Sequence, residues 1–370
     1  MPRLTALSAT PIIPTAMNEA CRKVVGRSLA QAEELVNWPE WGDFVLAEGL
    51  IATTDISGRR DYLELARRML NLRVEALDGR RQMEAVSRPI KTPSGFTPET
   101  RITFSRSSPV IMWFGLVSPL VMLYRRLGDQ RYLSAAVSLA EDVGRRAPRS
   151  ADGAIYMHPL APQAFLDSVY FVVPGWLALA DATGEERFRE EAVLQLEAHL
   201  DKLRDDSGLF FHAWDEAAGR HSPCLWARGN GWLAMTLAAI CDTRPQDDPL
   251  RTRAVSLLQA LVAGLVPLHD DSGLWHTVLD DPSTYLESSA AAAFALAIAK
   301  GIRCGVLSPE LRPVAARAWE AAQGYVSAAG EFTGVSGGTL PGDASHYNSI
   351  PVGSERFGTG IFLLAGAELG

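Results

Sequence analysis

The 370-residue sequence has few cysteines, no long uninterrupted apolar segment and no excess of positive charge. Its four cysteines, Cys21, Cys224, Cys241 and Cys304, lie far apart and form no Cys-x-x-Cys pair. This spacing argues against a zinc site and favours reduced, mostly buried thiols in a cytoplasmic protein. No segment offers about 18 uncharged apolar residues, so we expect no membrane span. The net charge of −8 argues against nucleic-acid binding, which usually needs a basic surface.

Several motifs of known chemistry are also missing. The sequence has no P-loop, no nucleophile elbow and no metal-binding cluster, and GTGIFLLAG near the C-terminus lacks the strand that opens a dinucleotide-binding motif. We therefore expect neither a metal nor a cofactor. The first 20 residues contain three prolines and no long apolar region, so we expect no signal peptide and an irregular arm over residues 1–16.

A repeated pair of helices accounts for most of the chain. In each pair an apolar helix rich in small residues comes first, and an amphipathic, charged helix follows. Because the first type is almost free of charge and the second has one charged face, we expect the first to be buried and the second to lie outside. The apolar helices are predicted to begin near Gly42, Pro109, Pro174, Gly231, Ser288 and Gly358.

The two ends of the chain complete this pattern. The sixth apolar helix has no charged partner after it, and a lone helix at about residues 18–35 has no apolar partner. Pairing them closes a ring of six inner and six outer helices. The predicted fold is therefore all-α, an (α/α)6 barrel forming a single domain over residues 1–370, with strands confined to loops. An open superhelical stack is the alternative, but the apolar C-terminal GIFLLAGAEL would be a poor cap.

The loops repeat as well and predict where a site lies. Residues 205–216 and 270–281 share Asp-Asp-Ser-Gly-Leu, and residues 151–159 are a looser copy. All join an outer helix to the next inner helix, so they gather where the inner helices begin. Helix N-termini favour an anionic or polyhydroxylated ligand. We expect the residues near these starts to line a cavity: Trp41, Asp43, Ser105 to Ser108, Asp167, Tyr170, Trp226, Arg228, Asn230, Trp232, Tyr285, Glu287, His346, Tyr347 and Arg356.

Three kinds of side chain in this set are chemically informative. The fork of Arg228 suits a carboxylate, and tryptophan faces suit sugar C–H surfaces, although Arg228 could instead cap a loop. Asp167, in an apolar stretch, suits a general acid, although aspartate is also a common helix N-cap. His212 and His276 follow aromatic residues in the repeated loops, where a structural role is the alternative.

Longer motifs carry a family resemblance over roughly residues 110–370. The sequence resembles the unsaturated glucuronyl and rhamnogalacturonyl hydrolases, glycoside hydrolase families 88 and 105. The motifs are LDSVYFVVPGWLALADATG, LFFHAWDE, LWARGNGWLAMTL, GLWHTVLDDPSTYLESSAAAAFALAIAKGI and YNSIPVGSERFGTGIFLLAGAEL. The pair WARGNGW and DDPSTYLESSA, about fifty residues apart, is specific.

The resemblance implies an (α/α)6 barrel and a particular reaction. A 4,5-unsaturated uronic acid is removed from the non-reducing end of a lyase-generated oligosaccharide by hydration of its double bond. Asp167 is implied as the acid and then the base, and His212, Trp226, Arg228 and Trp232 match pocket positions. Trp41, Tyr170, Asn230 and Tyr347 complete the expected substrate-binding set. The predicted partner is this oligosaccharide, and the protein is expected to be a monomer or homodimer.

One region departs from the family pattern. The family commonly has a second aspartate before the second inner helix, where this sequence has Ser105, Arg106, Ser107 and Ser108. The role of this aspartate is then lost, filled by a serine or by Arg106, or moved elsewhere, with Asp43 and Glu287 as the candidates. Two other functions stay open: a sugar epimerase that uses His212 and His276, and a sugar-binding barrel without catalysis.

Overall fold

The computed structural model describes residues 17–37, 40–77, 83–87, 91–92, 95–96, 100–104, 111–157 and 161–370. The predicted arm at residues 1–16 and the segment from Ser105 to Ser108 lie outside the described residues.

The described part of the chain contains six inner helices, and their apolar sequences explain why they are buried on nearly all sides. They are α3 (Asp43–Ser57), α6 (Val117–Leu127), α8 (Asp167–Thr183), α10 (Ala227–Thr243), α12 (Ser288–Arg303) and α15 (Arg356–Leu369).

The outer helices bury one apolar face against these inner helices and expose the other. They are α1 (Glu19–Ala30), α4 (Arg60–Leu77), α7 (Gln130–Arg146), α9 (Glu186–Leu203), α11 (Pro249–Leu265) and α13 (Arg312–Gln323). Short helices α2 (Ala32–Asn37), α5 (Ile111–Phe114) and α14 (Ala344–Asn348) and the 3-10 turns Val266–Leu268 and Pro309–Leu311 lie between them.

The ring closes where the last inner helix meets the first. Helix α15 packs along α3, and α1 packs on α15 as the predicted sixth outer helix. Glycines permit the close approach, because a Cβ on Gly360 would lie 2.3 Å from the Val45 carbonyl carbon and one on Gly49 would lie 2.8 Å from the Gly360 oxygen. The (α/α)6 barrel is confirmed, and the open stack is wrong.

Two inner helices begin earlier than the sequence suggested. Helix α8 begins at Asp167, and Pro174 lies inside it rather than at its start. Helix α10 begins at Ala227 rather than Gly231, so Arg228 lies in its first turn. Proline and glycine usually mark helix boundaries, but burial against neighbouring helices overrides that local preference here.

The strands are short and lie in the loops, as predicted. They are β1 (Met83–Ser87), β2 (Lys91–Thr92), β3 (Gly95–Phe96), β4 (Thr100–Phe104), β5 (Gln163–Phe165), β6 (Ala213–Asp215), β7 (Arg220–His221), β8 (Trp275–His276), β9 (Leu286–Glu287), β10 (Val335–Ser336) and β11 (Val352–Gly353). All the pairings are antiparallel: β1 with β4, β2 with β3, β5 with β6, β6 with β7, β8 with β9, and β10 with β11.

The repeated loops form the same turn twice. Asp205 accepts a hydrogen bond from Ser207 N–H at 2.9 Å, and Asp270 accepts one from Ser272 N–H at 2.8 Å. Gly208 and Gly273 follow with φ angles of 87° and 90°, in the left-handed region that glycine adopts without strain.

The single-domain organisation stays a prediction. No helix in the described residues is long and apolar enough to cross a membrane.

Candidate active site

A cavity lies at the end of the barrel where the inner helices begin. Its described lining consists of aromatic and apolar side chains, two charged side chains, a threonine and a glycine: Trp41, Met157, Phe165, Asp167, Phe171, Trp226, Arg228, Gly338, Thr339 and Leu340. Four of the predicted site residues, Trp41, Asp167, Trp226 and Arg228, therefore meet at one place, although they are separated by up to 187 positions (41 to 228) in the sequence.

Strand pairing places Asp167 beside His212. Strand β5 pairs with β6, and the pairing continues as Leu166 N–H donates to the His212 carbonyl oxygen at 2.8 Å. Helix α8 then begins at Asp167, whose side chain is 12% exposed and faces the cavity. The N-cap of α8 is Leu166, and no side chain caps this helix end, so the structural interpretation of Asp167 as an N-cap is wrong.

Asp167 and His212 are in direct contact. His212 Nε2 lies 3.1 Å from Asp167 Oδ2. Neither buried atom has a hydrogen-bond partner among the described residues, so the two atoms are close without the alignment of a hydrogen bond. On the other side of the ring, His212 Nδ1 lies 2.6 Å from Tyr347 Oη. His212 thus bridges the candidate acid and a buried phenol.

The surroundings of Tyr347 indicate which nitrogen of His212 carries the proton. Gly342 N–H donates to Tyr347 Oη at 3.3 Å, so the phenol proton is left to donate to His212 Nδ1. Burial raises the pKa of Tyr347 well above its usual value and keeps that proton in place. Because Nδ1 accepts from Tyr347, Nε2 is the nitrogen of His212 that carries the ring proton.

Aromatic rings form one wall around these groups. The His212 and Trp226 ring centroids are 4.3 Å apart, and Trp226 stacks on Tyr347 at 6.0 Å. Trp41 stacks on Phe357 with centroids 4.7 Å apart. These faces give the cavity the apolar, planar surfaces on which a sugar ring can lie.

Arg228 lies between two of these rings. Its guanidinium carbon is 4.4 Å from the Trp226 centroid and 4.7 Å from the Phe357 centroid. Arg228 Nη1 donates to the Ser336 carbonyl oxygen at 2.8 Å and approaches Glu287 Oε1 at 3.4 Å, while Nη2 donates to the Gly337 carbonyl oxygen at 2.9 Å. Arg228 therefore both faces the cavity and anchors the loop that covers it.

Two predicted substrate-binding residues have structural roles instead. Asn230 is 0% exposed, and its amide bonds the N–H and carbonyl of Phe210 and the carbonyl of Trp226. Trp232 is also 0% exposed and packs on Tyr170 with centroids 4.7 Å apart. The expectation that these two residues line the cavity is wrong, because both are fully buried in the barrel wall and neither belongs to the described lining.

Two predicted tyrosines also stay out of the cavity. The Tyr170 hydroxyl donates to Glu48 Oε2 at 2.6 Å, in a second cavity farther along the barrel axis. Tyr347 is 0% exposed and contacts the site from behind, through His212 and Trp226. Among the expected lining residues, Tyr285, His346 and Arg356 likewise do not line the described cavity.

Neither candidate for a relocated carboxylate faces the cavity. Asp43 is buried between Arg73 and Arg356, and its Oδ1 lies 2.9 Å from Arg356 Nη1. Glu287 caps α12 by accepting from Ala290 N–H at 2.6 Å and also accepts from Ser336 N–H at 3.0 Å. Both are structural, so the relocation of the second carboxylate to Asp43 or Glu287 is wrong. The Ser105–Ser108 region itself lies outside the described residues.

Sequence reasoning missed the residues that cover the cavity. Gly338, Thr339 and Leu340 precede the last inner helix, in a segment rich in glycine and proline. This segment joins outer helix α13 to inner helix α15. The rule that such loops gather at this end of the barrel could therefore have identified it. The ring of Phe357 contacts both Trp41 and Arg228. Its position at the start of α15 was the one feature of the sequence that pointed to Phe357.

The fold is an (α/α)6 barrel, with a cavity at the end where its inner helices begin. The sequence model of Glycosyl Hydrolase Family 88 matches residues 17–370, and the chain belongs to that family.

Two curated relatives agree with this assignment. The chain is 35% identical over 189 residues to the unsaturated rhamnogalacturonyl hydrolase YesR of Bacillus subtilis (strain 168), covering 48% of this chain and 54% of that protein. It is 26% identical over 211 residues to an unsaturated 3S-rhamnoglycuronyl hydrolase of Alteromonas sp. (strain LOR), covering 55% and 50%. The matched parts thus span about half the length of these curated relatives.

The same fold extends over almost the whole chain. A possible GH105 member from Salmonella enterica has a TM-score of 0.79 at 23% identity, with 99% of both chains covered. The unsaturated glucuronyl hydrolase from Bacillus sp. GL1 has a TM-score of 0.71 at 16% identity, covering 94% of this chain and 96% of that one.

Proposed function

We propose that this protein is a glycosidase that removes a 4,5-unsaturated uronic acid from the non-reducing end of an oligosaccharide. Family membership and the names of the two curated relatives support this substrate class. The observation that carries the proposal is the pairing of one cavity-facing carboxyl, Asp167, with an arginine and stacked aromatic rings.

The number of acids facing the cavity favours hydration of the double bond. A retaining or inverting glycosidase uses two carboxyl groups on either side of the glycosidic oxygen. Of the described lining residues, Asp167 is the only carboxylic acid. One carboxyl suffices for hydration, because it can give a proton and then take one back from water.

The steps balance as an addition of water followed by ring opening. The Asp167 carboxyl donates its proton to C4, and water adds to C5 as the Asp167 carboxylate takes the water proton. The hemiketal formed at C5 then opens, and collapse at C1 releases the next sugar. His212, which contacts Asp167 Oδ2, holds that carboxyl in position during both transfers.

Arg228 has the capacity to bind the uronate carboxylate. Its Nη1 protons and one Nη2 proton go to Ser336, Glu287 and Gly337. Within the described residues, Nε–H and the second Nη2 proton have no partner, and a carboxylate at the cavity can accept both. Stacking on Trp226 and Phe357 keeps the guanidinium plane fixed for this contact.

Turnover in heavy water tests the proposed reaction. With an unsaturated rhamnogalacturonyl disaccharide as substrate, we expect release of the neutral sugar together with loss of the ultraviolet absorbance of the double bond. Mass spectrometry should find one deuterium at C4 of the released acid at early times. Purified product incubated in heavy water serves as the control for later exchange. Release of an intact unsaturated uronate without C4 deuterium would overturn the hydration mechanism.

The two rival functions have less support. An epimerase would need His212 and His276 in one site, but His276 bonds the Thr284 carbonyl oxygen and does not line the described cavity. Turnover in the heavy-water experiment would also exclude a barrel that only binds sugar.

We also propose a cytoplasmic location and a monomeric or homodimeric state. Cys21, Cys224, Cys241 and Cys304 are all free, which suits a reducing compartment. Light scattering of the purified protein tests the oligomeric state, and fractionation of the producing cells tests the location.

A further inference from the structure

A second cavity lies on the barrel axis, at the end opposite to Asp167. It has a volume of about 360 Å³, and all six inner helices contribute to its wall. Its outer residues include Asp55, Lys300 and Glu368, which stand in the last turns of α3, α12 and α15. The cavity therefore opens where the inner helices end, and its size is that of a small-molecule site.

An aromatic layer separates this cavity from the candidate active site. Tyr170 packs on Trp232 with centroids 4.7 Å apart and lies 6.1 Å from Phe44. The Tyr170 hydroxyl points away from Asp167 and donates to Glu48 Oε2 at 2.6 Å. The two cavities consequently have no lining residue in common.

Glu48 is a buried acid at the closed end of the second cavity. It is 7% exposed, and the Ser118 and Tyr170 hydroxyls are its hydrogen-bonding neighbours. Burial raises the pKa of Glu48 to about 7, against the opposing effect of these hydrogen bonds. Among the described residues it has no cationic partner.

The charged groups at the mouth are already paired with one another. Asp55 accepts from Arg126 Nε at 3.1 Å, while Lys300 Nζ lies 3.2 Å from Asp242 and 3.1 Å from Glu368. With Tyr170, these are the titratable groups that face the cavity. Six converging helix C-termini add partial negative charge at this end, the reverse of the end that holds Asp167. The remaining wall is mostly apolar, with Met122, Met235, Leu296 and Leu364 among its side chains.

We propose that this axial cavity is a second binding site, which takes a small organic ammonium ion with an apolar body. The ammonium group pairs with the Glu48 carboxylate, and the apolar body fills the channel between the inner helices. The helix C-termini favour the same sign of charge. The barrel would then bind an anion at one end and a cation at the other, each matched to the direction of the inner helices.

Titration calorimetry with benzylammonium as the probe tests this proposal, and benzyl alcohol is its neutral counterpart. At pH 8 we expect benzylammonium to bind with a Kd of about 1 mM or below and benzyl alcohol to bind at least about tenfold more weakly. Binding needs ionised Glu48, so affinity should fall about tenfold from pH 8 to pH 6, one unit on each side of the Glu48 pKa.

Variants locate the probe. Glu48→Gln should weaken benzylammonium binding at least about tenfold at pH 8 and remove most of its pH dependence. Asp167→Asn, in the other cavity, should leave that binding unchanged. Equal affinity for the two probes, absence of binding at pH 8, or full binding to folded Glu48→Gln each overturns the proposal. If Glu48→Gln does not fold, the comparison of probes and pH values in the unchanged protein decides.

Discussion

His212 Nε2 lies 3.1 Å from Asp167 Oδ2, and neither atom has a hydrogen-bond partner within the described structure. A buried carboxylate oxygen and a ring nitrogen are thus held close together at the edge of the cavity. The contact leaves Asp167 free to exchange a proton with a ligand, while Tyr347 fixes the far side of the histidine.

Replacing Asp167 with asparagine should abolish most turnover and leave the fold intact. The amide keeps the shape of the side chain but has no transferable proton, so we expect kcat to fall about 10²- to 10⁴-fold. Melting temperature should change little because Asp167 caps no helix. The measurement is the loss of ultraviolet absorbance of the unsaturated substrate. Asp206→Asn, an exposed acid in the repeated loop, is the matched control. Turnover within a few-fold of the parent protein would remove Asp167 from the mechanism.

Tyr347→Phe should lower kcat more than it raises KM. The ring and its stacking on Trp226 remain, but the proton donor to His212 Nδ1 is lost. One hydrogen bond contributes about 0.5–1.5 kcal/mol, so we expect a decrease of up to about tenfold. Steady-state kinetics separate the two constants. Tyr132→Phe, which removes a hydrogen bond to Asn71 far from the cavity, should leave both unchanged. An unchanged kcat in Tyr347→Phe would show that His212 needs no fixed tautomer.

Arg228→Lys should reduce kcat/KM even though the positive charge is kept. Lysine cannot offer two parallel N–H groups to a carboxylate, and loss of a buried charged contact costs about 2–5 kcal/mol. A substrate whose uronate carboxyl is methylated distinguishes the loss of carboxylate binding from a folding defect. The parent protein and Arg228→Lys should turn over this substrate almost equally. Arg189→Lys, in a bidentate pair with Asp248 between outer helices, is the control. An equal loss with both substrates contradicts the assignment.

The variant Arg106→Ala tests the alternative position of the carboxylate. If Arg106→Ala greatly lowers kcat/KM while Arg228→Lys leaves kcat/KM unchanged, the carboxylate binds near the second inner helix.

Asn230→Ala should destabilise the protein rather than weaken substrate binding directly. The Phe210 N–H and carbonyl lose their side-chain partner in a fully buried place. Each buried unsatisfied group costs about 1–3 kcal/mol, so the free energy of unfolding should fall by roughly 2–6 kcal/mol. Urea denaturation measures this change. Asn37→Ala, at an exposed position, is the comparison and should have a small effect. A stable Asn230→Ala protein with raised KM would restore the original assignment of Asn230 to the substrate.

The pH dependence of stability should contain a contribution from Glu48. Its pKa is raised from 4.5 to about 7 in the folded protein, so the folded state holds its proton more tightly than the unfolded state. Stability from this group is full below about pH 4.5 and is lost as pH rises through about 7. The loss amounts to about 3 kcal/mol. Urea denaturation midpoints measure this change: from about pH 4.5 to about 7 the midpoint of the parent protein should fall relative to that of Glu48→Gln. Parallel curves of midpoint against pH for the two proteins would contradict the burial of a protonated Glu48.

The sequence alone determined the six inner and six outer helices, their alternation and the end of the barrel where the cavity lies. These features depend on local properties: the period of the outer helices, the absence of charge in the inner ones, and the turn chemistry of Asp205 and Asp270. Asp167, Trp226 and Arg228 could be chosen because they stand at inner helix starts.

Only the tertiary structure decided which of those neighbours face the cavity. When an inner helix is apolar on all sides, no one face is more hydrophobic than the others. Its sequence therefore does not indicate how the helix is rotated about its own axis. The sequence therefore predicted Asn230 and Trp232 to bind the ligand, whereas both are buried within helix α10, which begins at Ala227. The pairing of Arg228 with Glu287, and of Tyr170 with Glu48, joins residues 59 and 122 positions apart. Such contacts arise when the ring closes, since closure brings distant helices together and fixes which polar groups satisfy one another.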